Sequence, residues 1–299
     1  MAHWLFGAAI FHRVADASNR AGRRSHGDDS QSDRAAALGL RPDVAFDVSA
    51  ESYDAFMGRY SSLLAAPFTD FAQVESGSKV VDVGCGPGAL TAELLRRGAR
   101  VAAADPSEQF VAAVRDRFPD VDVRLAPAER LPFADGGFDA ALAQLVVHFM
   151  RDPVAGIREM ARVTRPDGTV AACTWDIAGG RSPLSPFWTA VARLDLGEPG
   201  ERGLHGVREG QLAELFEAAG VAEVEAGEVS VSVEHANFED WWHPFTLGVG
   251  PAGAYFQRLP PDQADALKEE ARAVLGGPPF RVPAVAWAAR GYNSARLAA

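Results

Sequence analysis

Cysteine and long apolar runs are both scarce in this chain, and each absence excludes a class of protein. Only two of the 299 residues are cysteines, Cys85 and Cys173, and they form no C-x-x-C pair. A disulfide is therefore not expected, and a reducing cytoplasm is the default location. No apolar run is long enough to span a bilayer. The short apolar stretch from Trp4 to Phe11 lacks the basic start of a signal peptide.

Positive charge is also scarce. The chain has 29 Lys and Arg residues, only two of them lysines, against 40 Asp and Glu residues, and its formal net charge is −11. A net acidic surface disfavours non-specific binding to nucleic acid or to anionic membranes. The seven histidines show no ligand spacing, so we predict no metal site. With 47% hydrophobic residues, the chain is long enough for the core of one large α/β domain.

The most informative stretch runs from residue 79 to residue 90 and reads K-V-V-D-V-G-C-G-P-G-A-L. Its β-branched valines predict a buried parallel strand. Gly84, Gly86 and Gly88 predict a tight loop, and the leucine spacing after Ala89 predicts a helix. A strand, a glycine loop and a helix form the first unit of a nucleotide-binding α/β sheet.

The glycine spacing alone leaves the ligand open. Gly84, Gly86 and Ala89 also satisfy the G-x-G-x-x-[GA] fingerprint of dinucleotide-binding proteins. Asp82 favours a different ligand, because a carboxylate at the buried end of a strand is costly without a partner and would repel a pyrophosphate. Such a carboxylate suits a ligand that brings a cation and an amine.

This stretch resembles motif I, D-x-G-x-G-x-G, of the class I S-adenosylmethionine (SAM)-dependent methyltransferases. Residues 162–168, R-V-T-R-P-D-G, are similar to the R-V-L-K-P-G-G stretch of small-molecule methyltransferases, with Asp167 where many have glycine. The resemblance covers roughly residues 46–299 and is closest to the type 11 group, which includes quinone-biosynthesis C-methyltransferases.

The fold prediction has two sources. Strands alternate with helical patterns from Val80 to Trp175, which predicts an α/β fold with a mainly parallel sheet and helices on both faces. The resemblance adds a Rossmann-like, seven-stranded sheet of order 3-2-1-4-5-7-6, with strand seven antiparallel, and a small lid. We predict a poorly ordered extension over residues 1–45 and a methyltransferase domain over residues 46–299. Its core would span residues 78–176, and residues 177–299 would supply the lid and the C-terminal strands.

The resemblance implies SAM as the cofactor and suggests which residues bind it. Asp82 and the glycine loop would line the methionine end, whereas Ala128 and Glu129 would lie near the adenine. Asp105 comes about 20 residues after the glycines, where a ribose-binding carboxylate is expected. Gln144 ends the fourth strand, at the edge where open α/β sheets bind ligands. The predicted cofactor-binding residues are Tyr53, Arg59, Asp82, Gly84, Cys85, Gly86, Gly88, Asp105, Pro106, Ala128, Glu129 and Gln144.

The acceptor site follows less directly. His148, just beyond strand four, is the candidate catalytic base for an oxygen or carbon nucleophile, with a purely structural histidine as the alternative. Aromatic segments around residues 187–188 and 241–245 form the predicted lid, and the alternative is that they fill a core. The predicted acceptor-binding residues are Trp188, Trp241, Trp242 and His243.

These observations predict methyl transfer from SAM to an O, C or N atom of a small, apolar metabolite. The N-P-P-[YF] signature of amino-methylating nucleic-acid enzymes is absent after strand four, where residues 144–147 read Q-L-V-V. No nucleic-acid or membrane partner is expected. Two alternatives stay open: an NAD(P)-dependent oxidoreductase and a non-catalytic methyltransferase-like protein that binds SAM. The sequence leaves the acceptor, the methylated atom and the oligomeric state open.

Overall fold

A seven-stranded sheet organises the molecule. The computed structural model describes residues 49–197 and 201–294, so the predicted extension over residues 1–45 lies outside the described residues. The sheet has the order β3-β2-β1-β4-β5-β7-β6, and β7 is antiparallel to both of its neighbours, as predicted. The strands are β1 (Lys79–Val83), β2 (Arg100–Asp105), β3 (Asp122–Leu125), β4 (Phe138–Gln144), β5 (Thr164–Trp175), β6 (Val221–His235) and β7 (Phe280–Asn293).

Helices cover both faces of this sheet. They are α1 (Ala50–Tyr53), α2 (Arg59–Phe71), α3 (Ala89–Arg96), α4 (Glu108–Arg117), α5 (Pro153–Val163), α6 (Ser185–Arg193), α7 (Gln211–Ala218), α8 (Phe238–Trp242), α9 (Gly250–Gln257) and α10 (Pro261–Leu275). Two helices begin with a side-chain cap: the side chain of Ser107 accepts from Phe110 N at 3.4 Å, and that of Asp152 accepts from Ala155 N at 2.9 Å. Each cap satisfies an N–H that a helix start leaves without an intrahelical partner.

Alternate residues of the central strands supply the two main cores, because successive side chains of a strand point to opposite faces. Val80 packs with α2, α3 and the aromatic residues of the predicted lid on one face. Its neighbour Val81 packs with α5 and α7 on the other. The pleat of β1 therefore fixes Asp82 on the face that α2 and α3 cover.

Two local features interrupt the regular elements. A π-helical segment, Asp54–Gly58, lies between α1 and α2. Residues 165–168 form a bulge inside β5, where Phe138 pairs with Thr164 and Ala140 with Thr169. Four residues of β5 thus lie opposite one residue of β4. π-Helical turns and bulges redirect side chains, and they are frequent beside functional sites.

Within the residues that the structure describes, no helix is both long and apolar enough to cross a membrane.

Candidate functional site

A cleft lies at the carboxyl end of β1, where the glycine loop leads into α3. Its three predicted glycines all adopt positive φ angles, but for different reasons. A Cβ atom on Gly84 would lie 2.5 Å from the methyl groups of Val146, and one on Gly88 would lie 2.8 Å from the ring of Phe118. A Cβ atom on Gly86 would meet nothing within 4 Å among the described residues. Gly84 and Gly88 therefore permit close packing, and Gly86 leaves open space beside the loop.

Asp82 supplies a buried carboxylate to this glycine-loop cleft. Its side chain is 1% exposed, and Oδ2 accepts a hydrogen bond from Thr91 Oγ1 at 2.6 Å. Oδ1 is buried and has no hydrogen-bond partner in the described part of the chain. Burial raises the pKa of Asp82 to about 7, because the charged form is poorly solvated there. A cationic ligand group would supply the missing partner and favour the charged form.

Asp105 acts on the cleft through the loop. Its carboxylate accepts from Gly86 N at 2.9 Å and from Ser107 N at 2.8 Å, so it joins the end of β2 to the glycine loop. Burial raises the pKa of Asp105 to about 6. The carboxylate does not itself line the glycine-loop cleft. Its predicted contact with a ribose stays a prediction, and its observed contact fixes the position of Gly86.

The end of β4 closes the cleft on another side. Gln144 Nε2 donates to the carbonyl of Ser61 in α2 at 3.0 Å, which ties this helix over the sheet. Gln144 Oε1 is buried and lacks a partner among residues 49–197 and 201–294. Including its open mouth, the cleft has a volume of about 330 Å³, and the predicted residues that line it are Tyr53, Asp82, Gly84, Cys85, Gly86 and Gln144.

Five predicted cofactor contacts, besides Asp105, do not line this cleft. Arg59 forms an ion pair with Asp240 at 2.8 Å and so fastens α2 to α8. Glu129 accepts from Arg151 N at 2.7 Å and holds the turn before α5. Gly88 packs on α4, Pro106 is exposed, and Ala128 is buried in the core beneath α5. Their predicted cofactor contacts stay predictions.

A second, largely apolar recess shares the lining residue Tyr53 with the cleft. Its volume, including its open mouth, is about 460 Å³. The segments that line it come from distant parts of the chain: Tyr53–Met57, Leu145–Phe149, Trp175–Ile177, and the loops around Leu184 and Val249. Leu145 turns the chain out of β4 with a φ of +63°, a conformation uncommon for leucine. Such strain is often found at functional sites.

His148 belongs to this apolar recess. It lies in a short 3₁₀ turn, Val147–Phe149, and is 4% exposed. Its Nδ1 atom is buried, and no hydrogen-bond partner for it is found in the described ranges. Burial lowers the pKa of His148 to about 3, so the imidazole is neutral at physiological pH. The structure thus brings the predicted base to the recess, but as a weak base.

The predicted lid aromatics occupy other positions. Trp241 and Trp242 are buried in an aromatic core with Phe187 and Phe245, whose rings stack at 4.7 Å between centroids. None of Trp188, Trp241, Trp242 and His243 lines the recess, and His243 is exposed. Trp188 contacts a residue of the recess: its Nε1 donates at 3.0 Å to Glu201, which lines the recess. Trp241 and Trp242 therefore belong to the core, where their rings pack against other aromatic rings.

Several lining residues escaped the sequence reasoning. Phe56 and Met57 follow Tyr53 within the π-helical segment, and the pattern of a regular helix did not distinguish them. Trp175 ends β5 at the carboxyl edge of the sheet, so the rule that located Gln144 also points to it. Among the described residues, no three His, Cys, Asp or Glu side chains come together in a group that could hold a metal ion.

Replacing Gly86 by alanine tests whether the open space beside the loop is a binding site. A positive φ costs a non-glycine residue about 1–2 kcal/mol, so we expect a moderate fall in melting temperature. The added methyl group would overpack a bound ligand by about 1–3 kcal/mol, which lowers its affinity about 5- to 150-fold. Calorimetry with S-adenosylhomocysteine, the demethylated form of the cofactor that the resemblance implies, measures this loss.

Gly77→Ala is the matched control. Gly77 also has a positive φ, +84°, and a Cβ atom there would meet nothing within 4 Å among the described residues, but it lies before β1 and outside the cleft. Both variants carry the same backbone cost, and only the Gly86 variant is expected to lose affinity. Equal affinities would show that the loop does not approach the ligand.

Comparison with known proteins agrees with this architecture. Residues 81–172 match the family described as "Methyltransferase domain". The demethylmenaquinone methyltransferase of Mycobacterium sp. (strain JLS) is 42% identical over 106 residues, which are 36% of this chain and 45% of that protein. The chain thus spans about half the length of the curated relatives it matches.

Two solved structures share the fold at low sequence identity. The YcgJ protein from Bacillus subtilis has a TM-score of 0.50 and 19% identity, covering 78% of this chain and 99% of its own. A Haemonchus contortus phosphoethanolamine N-methyltransferase, solved with S-adenosylhomocysteine, has a TM-score of 0.50 and 15% identity, covering 81% and 56%. Residues 81–172 thus match a methyltransferase domain, and the sheet order and the glycine loop after an acidic strand end agree with the class I SAM-dependent resemblance found in the sequence.

Proposed function

We propose that this protein transfers a methyl group from SAM to an oxygen, carbon or nitrogen atom of a small, largely apolar acceptor. The observation that carries the proposal is the buried Asp82 carboxylate, which has one oxygen without a partner among the described residues and faces a glycine-loop cleft. The cleft and an apolar recess share Tyr53 as a common wall. One space suits a charged cofactor, and the other suits an apolar molecule.

The cleft residues fit SAM in chemical terms. Asp82 would hold the amino group of its methionine part, and the loop at Gly86 would let the cofactor approach the backbone. Asp105 would bind the ribose hydroxyls while it holds the loop, and Ala128 and Glu129 would lie towards the adenine. SAM supplies the reaction with a methyl group on a sulfonium centre, whose leaving group is a neutral thioether.

The remaining catalytic work is alignment and the exclusion of water, because a neutral thioether leaves without acid assistance. Tyr53 lines both spaces, so it would position the acceptor against the methyl group. The pKa of His148, lowered to about 3 by burial, makes this residue a poor general base. We propose that His148 instead orients the acceptor through a hydrogen bond.

The charge of the recess lining favours an uncharged acceptor. Among its described lining residues there is one carboxylate, Glu201, and no lysine or arginine. A phosphorylated or carboxylated acceptor would therefore be desolvated without a counter-charge. The similarity to demethylmenaquinone methyltransferases supports a phenolic, quinone-like or polyketide-like metabolite. An NAD(P)-dependent function is disfavoured, because the buried Asp82 would repel a pyrophosphate.

Thermal unfolding with two ligands tests the cofactor assignment. We expect S-adenosylhomocysteine to raise the melting temperature and NADH to leave it unchanged. A ligand at about 100 times its Kd stabilises the folded state by roughly 2.7 kcal/mol, which is a shift of several degrees for a chain of this size. A shift with NADH alone would overturn the proposal.

Incubation with methyl-labelled SAM and a host metabolite extract then separates an enzyme from a protein that only binds SAM. Labelled product in the mass spectrum supports methyl transfer. Binding of S-adenosylhomocysteine without any labelled product would favour the non-catalytic alternative.

A further inference from the structure

Trp175, a residue of the apolar recess, has an indole N–H group to which the proposed function assigns no role. Trp175 is among the residues that line the recess, and it is 3% exposed. Its indole Nε1 is buried and has no hydrogen-bond acceptor within residues 49–197 and 201–294. Buried N–H groups in native proteins almost always have a partner, so this one calls for an explanation.

Other polar aromatic side chains of this region have hydrogen-bond partners within the protein. The indole N–H of Trp188 donates to Glu201 at 3.0 Å. Tyr60 packs edge-on against Trp175 with 6.4 Å between ring centroids, but its hydroxyl is hydrogen-bonded to His235 Nε2 at 3.0 Å. Two polar aromatic neighbours of the region are thus satisfied from within the protein. A molecule that fills the recess can supply the missing acceptor for Trp175, which is a lining residue.

The chemistry of the two unpartnered groups narrows that occupant. An indole N–H only donates, so its partner must carry an oxygen or another acceptor atom, which an ammonium group lacks. His148 Nδ1 is the second buried atom of the recess without a partner in the described ranges, and a neutral imidazole nitrogen donates or accepts according to its tautomer. Since the described lining has no lysine or arginine, an anionic acceptor would lack a counter-charge. A carbonyl or hydroxyl oxygen on an apolar ring satisfies all three conditions.

We propose that Trp175 positions the methyl acceptor by donating its indole N–H to a neutral oxygen of the acceptor, with His148 as the second polar contact. This inference rests on the proposed function, because it assigns the recess to the acceptor. It adds a specificity: the recess selects oxygenated, uncharged rings and rejects the same rings without oxygen.

Equilibrium dialysis in the presence of S-adenosylhomocysteine tests this selection with three probes of similar shape: 1-tetralone, 2-naphthol and naphthalene. The wild-type protein is expected to bind the two oxygenated probes more tightly than naphthalene. Trp175→Phe removes the N–H and keeps an aromatic ring. One neutral hydrogen bond corresponds to a factor of about 2 to 10, so the preference is expected to fall by that factor in the variant.

Trp287→Phe is the matched control. Trp287 Nε1 is likewise buried without a partner in the part of the chain that the structure describes, but Trp287 lies on β7 and does not line the recess. Its replacement is expected to leave the preference unchanged. An equal loss in both variants, or no loss in Trp175→Phe, would overturn the inference.

A second measurement needs no change at Trp175. In proton–nitrogen spectra, the indole signal of Trp175 is expected to shift downfield with 1-tetralone and to stay in place with naphthalene. The Trp287 signal, assigned from Trp287→Phe, is expected not to move with either probe. No indole shift with 1-tetralone would count against the hydrogen bond. Failure of S-adenosylhomocysteine itself to bind would instead refute the proposed function, so the two failures are distinguishable.

Discussion

Replacing Asp82 by asparagine is expected to stabilise the ligand-free protein and to weaken its binding of S-adenosylhomocysteine. The two effects have one cause, which is the burial of a carboxylate that lacks a cation among the described residues. Its pKa is raised from 3.8 to about 7, and one pKa unit corresponds to about 1.4 kcal/mol, so the neutral amide could raise the unfolding free energy by up to about 4 kcal/mol. Asparagine keeps an acceptor for Thr91.

The loss of affinity follows from the lost charge. A hydrogen bond between a carboxylate and an ammonium group contributes about 1.5–3 kcal/mol, so its removal is expected to weaken binding about 10- to 150-fold. Calorimetry gives the affinity, and denaturant unfolding gives the stability. A residue that served packing alone would show no affinity change, and such a result would contradict the cofactor assignment.

The difference in unfolding free energy between Asp82→Asn and the wild type is expected to depend on pH, which provides an internal check. Because the folded pKa of Asp82 is raised, its contribution to stability is fully present below pH 3.8 and is lost as the pH rises through about 7. The variant has no such titration, so its advantage over the wild type is expected to be small near pH 4 and largest above pH 7. A constant advantage across this range would show that Asp82 is not the titrating group.

Asp176→Asn is the control for a buried carboxylate outside the cleft. Asp176 is 2% exposed, but it accepts from Gly179 N and forms an ion pair with Arg181. Breaking a paired carboxylate leaves its donor short of a partner, so this variant is expected to lose stability and keep its affinity for S-adenosylhomocysteine. The opposite signs of the two stability changes would distinguish a binding carboxylate from a structural one.

Local chemistry made one part of this molecule predictable from its sequence. The strand, glycine loop and helix around Gly86 follow from side chains within twelve residues of one another. The signal for this unit is short in sequence, so long-range packing has little chance to override it. The strand order, by contrast, came from the resemblance.

The apolar recess was not predictable by the same means. It is formed where the π-helical segment, the ends of β4 and β5 and the loop before α9 meet, and these segments are nearly 200 residues apart in the chain. A helical pattern around Met57 does not reveal that the backbone widens into a π-helix there. The roles of Gly84 and Gly88 also depended on neighbours, Val146 and Phe118, that come from other parts of the chain.

The packing of Trp241 and Trp242 was also not predictable from the sequence. The second large expected effect is the loss of stability when Trp242 is truncated. We expect Trp242→Ala to lower the unfolding free energy by about 3–5 kcal/mol, the usual cost of truncating a buried Trp or Phe. Trp242 is 2% exposed, and its ring lies 5.2–6.2 Å from four phenylalanine rings, measured between centroids. The surrounding rings are held by four elements, which are α6, α8, the 3₁₀ turn His243–Leu247 and α9, so they have little freedom to close the cavity. Denaturant unfolding measures the loss.

His243→Ala supplies the comparison at the next position. His243 is exposed, and substitutions at such sites usually change stability by less than about 0.5 kcal/mol. If Trp242 only supports the fold, its variant will keep wild-type affinity for S-adenosylhomocysteine and wild-type turnover at temperatures where it stays folded. A stable Trp242 variant with impaired turnover would instead restore the acceptor contact that the sequence suggested. The stability measurement therefore decides between the two roles, because a ring that only touches a ligand can be removed without opening a cavity in the aromatic core.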